Sequence, residues 1–222
     1  MRTLDQIQAI KNTKSDPVQH WDIISYGEII DLLIHYNDSS SKVEQKSTGP
    51  KVLYVKEGDG IIDKILKKLR KVYGNFEVRS AHYFDVTKPH IIHNDDDFDY
   101  PQCYKAFVIP LLVEGATCDK AKFFVFDQSY YGGPAKFVNG EDTTGKPVHY
   151  NTFLTDYSQI ENTSIAGLND FELQHLTHLK PKWLEGLSVN KYFDWRIGSI
   201  ISFDSLDLHC SSDFNSAGIT RK

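Results

Sequence analysis

His93 and Asp95 stand two residues apart in His90-Ile91-Ile92-His93-Asn94-Asp95, a stretch that reads as extended. On an extended chain the side chains at i and i+2 share a face, so an imidazole nitrogen and a carboxylate oxygen are presented together to one side. That pair is half of a metal site. The other half is His209, which follows the apolar run Gly198-Ser199-Ile200-Ile201-Ser202-Phe203 through the link Asp204 to Leu208. Two histidines and one carboxylate cover one face of an octahedral shell and leave the opposite face open, an arrangement suited to non-haem Fe(II) that activates oxygen. Alone, His93-Asn94-Asp95 reads rather as a surface loop entering the solvated acids Asp96, Asp97 and Asp99; His209 and the basic residue beyond it reverse the reading in favour of iron.

That basic residue is Arg221, twelve positions after His209 and one loop away from it. A guanidinium there offers two parallel donors to a carboxylate and stays charged at every relevant pH. With order, spacing and strand context taken together, residues 76 to 221 resemble the Fe(II)- and 2-oxoglutarate-dependent oxygenases, in particular their prolyl-hydroxylase-like and phytanoyl-CoA-dioxygenase-like members. That family carries a histidine, any residue, an acid, then a distal histidine after a glycine-led hydrophobic strand, and a cation roughly ten residues later. The resemblance implies that His93, Asp95 and His209 ligate Fe(II), that Arg221 holds the far carboxylate of the co-substrate 2-oxoglutarate, and that O2 is the oxidant, with ascorbate admitted as a reductant. It also implies a hydroxylase that couples decarboxylation of 2-oxoglutarate to substrate oxidation. Tyr83, ten residues before His93, falls near a tyrosine that contacts the same carboxylate in prolyl-hydroxylase-like members, and Lys105, on the strand after His93, is the alternative cation. One departure stands out: the family's last core strand runs several residues beyond the arginine, whereas here one residue, Lys222, follows it.

The elements that must position these residues follow from hydrophobic spacing. A chain of 222 residues with 40% hydrophobic and 25% charged side chains can bury one sizeable core without disulfides, so a single domain over residues 1–222 is expected. Residues 1–16 read as a loose arm or short helix, and residues 19–36 as one or two helices interrupted by Gly27. A short strand is expected at 51–55. Ile61, Ile62, Ile65, Leu66, Leu69 and Val72 then form an i, i+3, i+4 stripe that Gly74 ends. From Phe76 the period becomes two, with Val78, His82, Phe84 and Val86 on one face and Tyr83 and Asp85 on the other. Strands are expected at 104–113, where Pro110 marks a bulge or edge, at 122–126 and at 199–203. Between them an insertion at about 128–186 holds turns and a short helix capped by Asn169 or Asp170. A mainly helical part over 1–74 followed by strands over 75–222 is an α+β pattern. The fold class expected is a double-stranded β-helix, a cupin-like jelly roll, with N-terminal helices bracing its major sheet.

Composition narrows the partners. A net charge of -5 disfavours nucleic acid, since phosphate neutralisation needs a positive surface. The cluster Lys64, Lys67, Lys68, Arg70 and Lys71 reads as the solvated face of the 61–72 helix. No stretch reaches the roughly 20 apolar residues that span a bilayer, and the polar N-terminus lacks a secretory pattern, so a cytoplasmic protein with no membrane partner is expected. Cys103, Cys118 and Cys210 suggest neither a disulfide framework nor a thiolate site, and Cys210 reads as a buried free thiol. Asp95, Asp97 and Asp99 match the first ligand positions of a calcium loop, but Tyr100 replaces its glycine and Ala106 its glutamate. His175 and His178 read as solvated, and His90 as a support for the ligands. Two other functions keep the same scaffold: a non-catalytic jelly-roll binding or structural protein, and a cupin-like metalloenzyme without 2-oxoglutarate. Scaffold and triad do not specify the substrate.

Overall fold

The computed structural model describes residues 4–46, 49–95, 105–129, 135–136, 153–154, 167–184 and 186–222. In chain order these give α1 (Leu4–Thr13), β1 (Val18–His20), α2 (Tyr26–Asp38), β2 (Glu44–Gln45), β3 (Lys51–Val55), α3 (Gly60–Tyr73), β4 (Ala81–Asp85) and β5 (Lys105–Val108). They continue with β6 (Lys122–Ser129), β7 (Ala135–Lys136), β8 (Phe153–Leu154), α4 (Asp170–His175), β9 (Val189–Asp194), β10 (Ile200–Asp204) and β11 (Asp207–Ser211). The turns expected at 130–134 and 139–147, the acids Asp97 and Asp99, and Cys103 lie outside the described residues.

All pairings between these strands are antiparallel. One sheet has the order β1-β10-β5, a second β11-β6-β9 and a third β2-β3-β4, while β7 pairs with β8. The first two face each other across a core of Phe123, Val125, Phe193, Ile201 and Phe203. On the far side of β10, Ile200 joins Ile29 and Leu32 of α2, Ile62, Ile65, Leu66 and Leu69 of α3, Leu53 and Tyr83 in a second core. On the far side of β6, Phe124 and Phe126 meet Leu176, Leu179, Trp183 and Leu187. Strands β10 and β6 therefore read as nearly continuous apolar runs because both of their faces are covered. α2 and α3 thus pack on the outer side of the β1-β10-β5 sheet.

Several boundaries differ from the sequence reading. Val18–His20 is no helix start but an edge strand on β10, with Gln19 opposite Ile201. The strand expected over 76–86 begins at Ala81, since β3 supplies only five residues for β4 to pair with. β5 stops at Val108, two residues before Pro110, whose carbonyl instead accepts the Gly198 N–H at 2.9 Å. Gly198 has φ +79° and lies against α2, where an added Cβ would meet Ile29 Cδ1 at 2.7 Å; glycine lets the β9–β10 turn pass beneath that helix.

α2 opens on a reciprocal cap: Ser25 Oγ accepts the Glu28 N–H, and Glu28 Oε2 accepts the Ser25 N–H at 2.8 Å. Glu28 is buried, and α3 completes its coordination with Lys68 Nζ at 2.5 Å and Lys64 Nζ at 3.5 Å. Two of the basic residues assigned to a solvated face thus tie α3 to α2. Burial pushes the Glu28 carboxyl up, but the hydrogen bonds from Lys68 and Ser25 outweigh it and bring the pKa from 4.5 to about 2. A depressed carboxyl pKa stabilises the fold above the unfolded value and loses that contribution as pH falls through the folded one. Glu28→Gln should cost about 3 kcal/mol at pH 7, with the gap to the unmutated protein closing between pH 4.5 and 2, as urea unfolding across that range would show.

Candidate metal centre

Ile92, 1% exposed in the core behind β6, anchors the stretch that leaves β4 and holds His93 beside β11. There the His93 N–H reaches the His209 carbonyl at 3.0 Å, and the His209 N–H reaches the His93 carbonyl at 2.8 Å. Residues paired this way in an antiparallel bridge point their side chains to the same side, and the two imidazole centroids lie 4.1 Å apart. Asp95, two residues on, shares that face. Its N–H is held by the Ser205 carbonyl at 2.9 Å, in the turn between β10 and β11.

Each imidazole is aimed by its own backbone. His93 Nδ1 lies 2.8 Å from the Ile91 carbonyl and His209 Nδ1 2.9 Å from the Asp207 carbonyl. A carbonyl oxygen only accepts, so both Nδ1 atoms carry the proton and both Nε2 atoms present a lone pair. The His93 Nε2 is 3.7 Å from Asp95 Oδ1, and the His209 Nε2 is 3.6 Å from Asp95 Oδ2. Burial, reinforced by His209, lowers the His93 pKa to about 4, so its ring stays neutral at neutral pH. In the neutral tautomer that each carbonyl selects, two lone pairs and a carboxylate face a common point, where a cation would be stabilised.

The ligand atoms of His93, Asp95 and His209 all lie within 4.8 Å of one another. Bonds of about 2.1 Å to a common ion would bring neighbouring donors to about 3 Å, against 3.7 and 3.6 Å between Asp95 and the two imidazoles without it. The residues fit a divalent transition metal. Among the described residues this is the one group of histidine, cysteine and acidic side chains close enough to share an ion. His209 is 3% exposed at its side chain and Asp95 41%, so the centre opens on the carboxylate side.

No protein-family model matches the sequence, and no curated protein does. Among solved structures, a crystal structure of a Pseudomonas putida prolyl-4-hydroxylase is similar over 93% of this chain and 90% of its own, with a TM-score of 0.47 and 8% identity.

Around the ligands lies a layer of imidazole that sequence reading only half anticipated. The His90 ring meets His93 edge-on at 4.0 Å, the His90 backbone N–H is taken by Ser211 Oγ at 2.7 Å, and burial with the neighbouring imidazoles holds the ring well below its ordinary pKa. His178, read as solvated, instead lies with Nε2 3.4 Å from the His90 carbonyl. Its place inside the Leu176 to Leu179 stripe was the available signal. Cys210 points away from His209 into the core behind β6, where burial pushes its thiol pKa up and makes it inert, as expected of a buried free thiol.

The three residues expected to hold a co-substrate are not brought together with the triad. Tyr83 faces the helices, its hydroxyl 3.1 Å from His35 Nδ1 and its ring against Tyr36. Lys105 is bound to Asp204 and Ser15 at the end of β10. Arg221 forks onto Asp85, Nε to Oδ1 at 2.9 Å and Nη2 to Oδ2 at 3.0 Å, and also reaches Glu114 at 3.0 Å; Tyr36 donates to the same Asp85 at 3.0 Å. Its cation is committed on the helix side of β4.

Lys222 is turned the other way. It pairs backbone to backbone with Val86, N to O at 3.0 and 2.9 Å, so its side chain shares the face of Val86 and Phe84, and Phe84 meets His90 at 5.3 Å. The Lys222 side chain is buried with Nζ 3.7 Å from the Trp195 ring centroid and 4.9 Å from that of Phe214. Burial lowers its pKa from 10.5 to about 7, and no carboxylate among the described residues pairs with it. Its charge is felt at His90 and Cys210.

Proposed function

We propose that this chain is an Fe(II)- and 2-oxoglutarate-dependent oxygenase, a hydroxylase by class, whose two facing antiparallel sheets form a double-stranded β-helix. The observation that carries the reading is the convergence of His93 Nε2, His209 Nε2 and an Asp95 oxygen from one side, each aimed by a backbone hydrogen bond. Three ligands on one face leave about half of an octahedral shell for co-substrate and oxygen. When bound, iron supplies the redox chemistry that couples 2-oxoglutarate decarboxylation to oxidation of a substrate C–H bond.

The chain's own residues do the rest. Burial keeps the His93 ring neutral at neutral pH, and the hydrogen bonds from both Nδ1 atoms to backbone carbonyls leave each Nε2 turned toward the centre. Phe203 and Phe123, with centroids 4.4 and 5.4 Å from His209, keep water from the inner side of the centre. Lys222 supplies the cation for the far carboxylate of 2-oxoglutarate, taking the role that spacing assigned to Arg221. A buried ammonium without a carboxylate partner among the described residues is costly, and a bound carboxylate offsets that cost. Substrate enters from the exposed Asp95 side.

The test is succinate formation from 2-oxoglutarate with Fe(II), ascorbate and O2. Succinate should appear with the unmutated protein and be absent with His209→Ala. Bound metal with no succinate in the unmutated protein would overturn the oxygenase reading in favour of a metal-binding scaffold.

A further inference from the structure

The turn Asp204-Ser205-Leu206-Asp207, which carries β10 into β11, touches two of the three ligands through its backbone. The Ser205 carbonyl holds the Asp95 N–H at 2.9 Å, and the Asp207 carbonyl holds His209 Nδ1 at 2.9 Å. The side chains of the same turn are gripped from the opposite direction. Asp204 Oδ2 accepts the Ser15 N–H at 3.1 Å, and its other oxygen meets Lys105, which also binds Ser15 Oγ. Asp207 Oδ1 accepts from Ser129 Oγ at 2.6 Å and lies 3.3 Å from Lys14 Nζ, which itself donates to Ser129 Oγ at 2.7 Å.

Asp204 and Asp207 are 7% and 2% exposed. Two buried carboxylates three residues apart repel each other, and the turn holds its shape only while cations face them. Lys105 serves Asp204 from within the sheet. Lys14 serves Asp207 from a different quarter, the segment between α1 and β1, more than a hundred residues away in sequence.

We infer that Lys14 and Ser15 are positioning residues for the metal centre: by clasping the β10–β11 turn they fix the two carbonyls that aim Asp95 and His209. The inference rests on the metal-binding half of the function proposed above. The N-terminal segment touches no ligand itself; it acts through the turn. Groups bonded directly to a ligand are worth about ten- to a hundredfold in metal affinity, and Lys14 and Ser15, one contact further out, are expected at the low end of that range.

Coulomb's law makes the opposite prediction for Lys14. Removing a cation near the centre would, through charge alone, strengthen binding of a divalent ion. A loss of affinity therefore reads as lost orientation. Co(II) titrated into the full chain, followed by its visible absorption, measures both affinity and ligand geometry. Lys14→Met is expected to weaken Co(II) binding about tenfold and alter the absorption band, and Lys14→Arg to restore both to within about twofold. Should Lys14→Met fail to fold, Lys14→Gln, which keeps a donor for Ser129, carries the same expectation at smaller size. The melting temperature of the metal-free protein, read in parallel, separates orientation from general destabilisation. Unchanged or tightened Co(II) binding in Lys14→Met overturns the inference; if His209→Ala loses Co(II) in the same assay, the metal centre itself stands. No Co(II) binding by the unmutated protein overturns both.

Discussion

Co(II) or Mn(II) at about a hundredfold excess over its dissociation constant should raise the melting temperature of the protein by about 5–11 °C, and His209→Ala should abolish the rise. The shift follows from linkage: an ion that binds only the folded state at that excess contributes about 2.7 kcal/mol, and each kcal/mol moves a domain of this size by about 2–4 °C. The variant loses the best-buried ligand. It also loses packing, because His209 is 2% exposed and its ring lies 4.4 Å from Phe203. Its truncation opens a cavity worth about 2–4 kcal/mol. The two effects separate in one experiment, since the cavity lowers the melting temperature with or without metal while the missing ligand removes only the metal-dependent rise. His209→Gln keeps most of the volume and should recover the metal-free stability without the shift. A full metal-dependent rise in His209→Ala would mean that the ion binds elsewhere.

The grouping of His93, Asp95 and His209 was legible in the sequence because its information is local. An i, i+2 pair on an extended stretch shares a face whatever the rest of the chain does, and an apolar strand leading into His209 fixes where the third ligand enters. The α3 stripe and the cap at Asn169 were legible for the same reason; Asn169 Oδ1 accepts the Glu172 N–H at 3.0 Å. What sequence could not supply was set by distant partners. Phe76 and Val78 alternate like a strand and do pack on the helix-side core, yet β3 is too short to pair with them. Gln19 and His20 stand at the start of a stretch that looks helical by spacing, yet they join a strand because β10 has an open edge. The clasp on the β10–β11 turn joins residues 14, 105, 129 and 204–207, a grouping no local pattern announces. Arg221 and Lys222 show the sharpest limit. Adjacent residues on an extended stretch face opposite sides, so a spacing rule that tolerates one residue of slip cannot say which cation points inward. Only the pairing of Lys222 with Val86 decides it.

That difference predicts opposite behaviour for neighbouring residues. Lys222→Met should raise the stability of the ligand-free protein and weaken 2-oxoglutarate binding by at least about a hundredfold, whereas Arg221→Ala should lower stability and leave 2-oxoglutarate affinity within about twofold. For Lys222 the argument is one of buried charge. Its pKa falls from 10.5 to about 7 on folding, because burial disfavours the ammonium. Between those values the unfolded chain binds the extra proton, so stability rises with pH from about 7 to 10.5 and the whole penalty is present below 7. Methionine fills similar space against Trp195 and Phe214 with no charge, so its stability should be higher at pH 7 and flatter between pH 7 and 10. A carboxylate ligand loses with it a desolvated charge pair, typically worth about 2–5 kcal/mol. For Arg221 the signs reverse. Its guanidinium is 34% exposed at the side chain and its fork satisfies Asp85, which is 11% exposed, so truncation leaves that carboxylate without its main partner at about 1–3 kcal/mol after allowance for solvent screening. Urea unfolding gives the stabilities, and calorimetric titration of 2-oxoglutarate with Mn(II) in place of iron gives the affinities. If Arg221→Ala loses the co-substrate and Lys222→Met keeps it, the spacing rule was right and the buried ammonium needs another explanation.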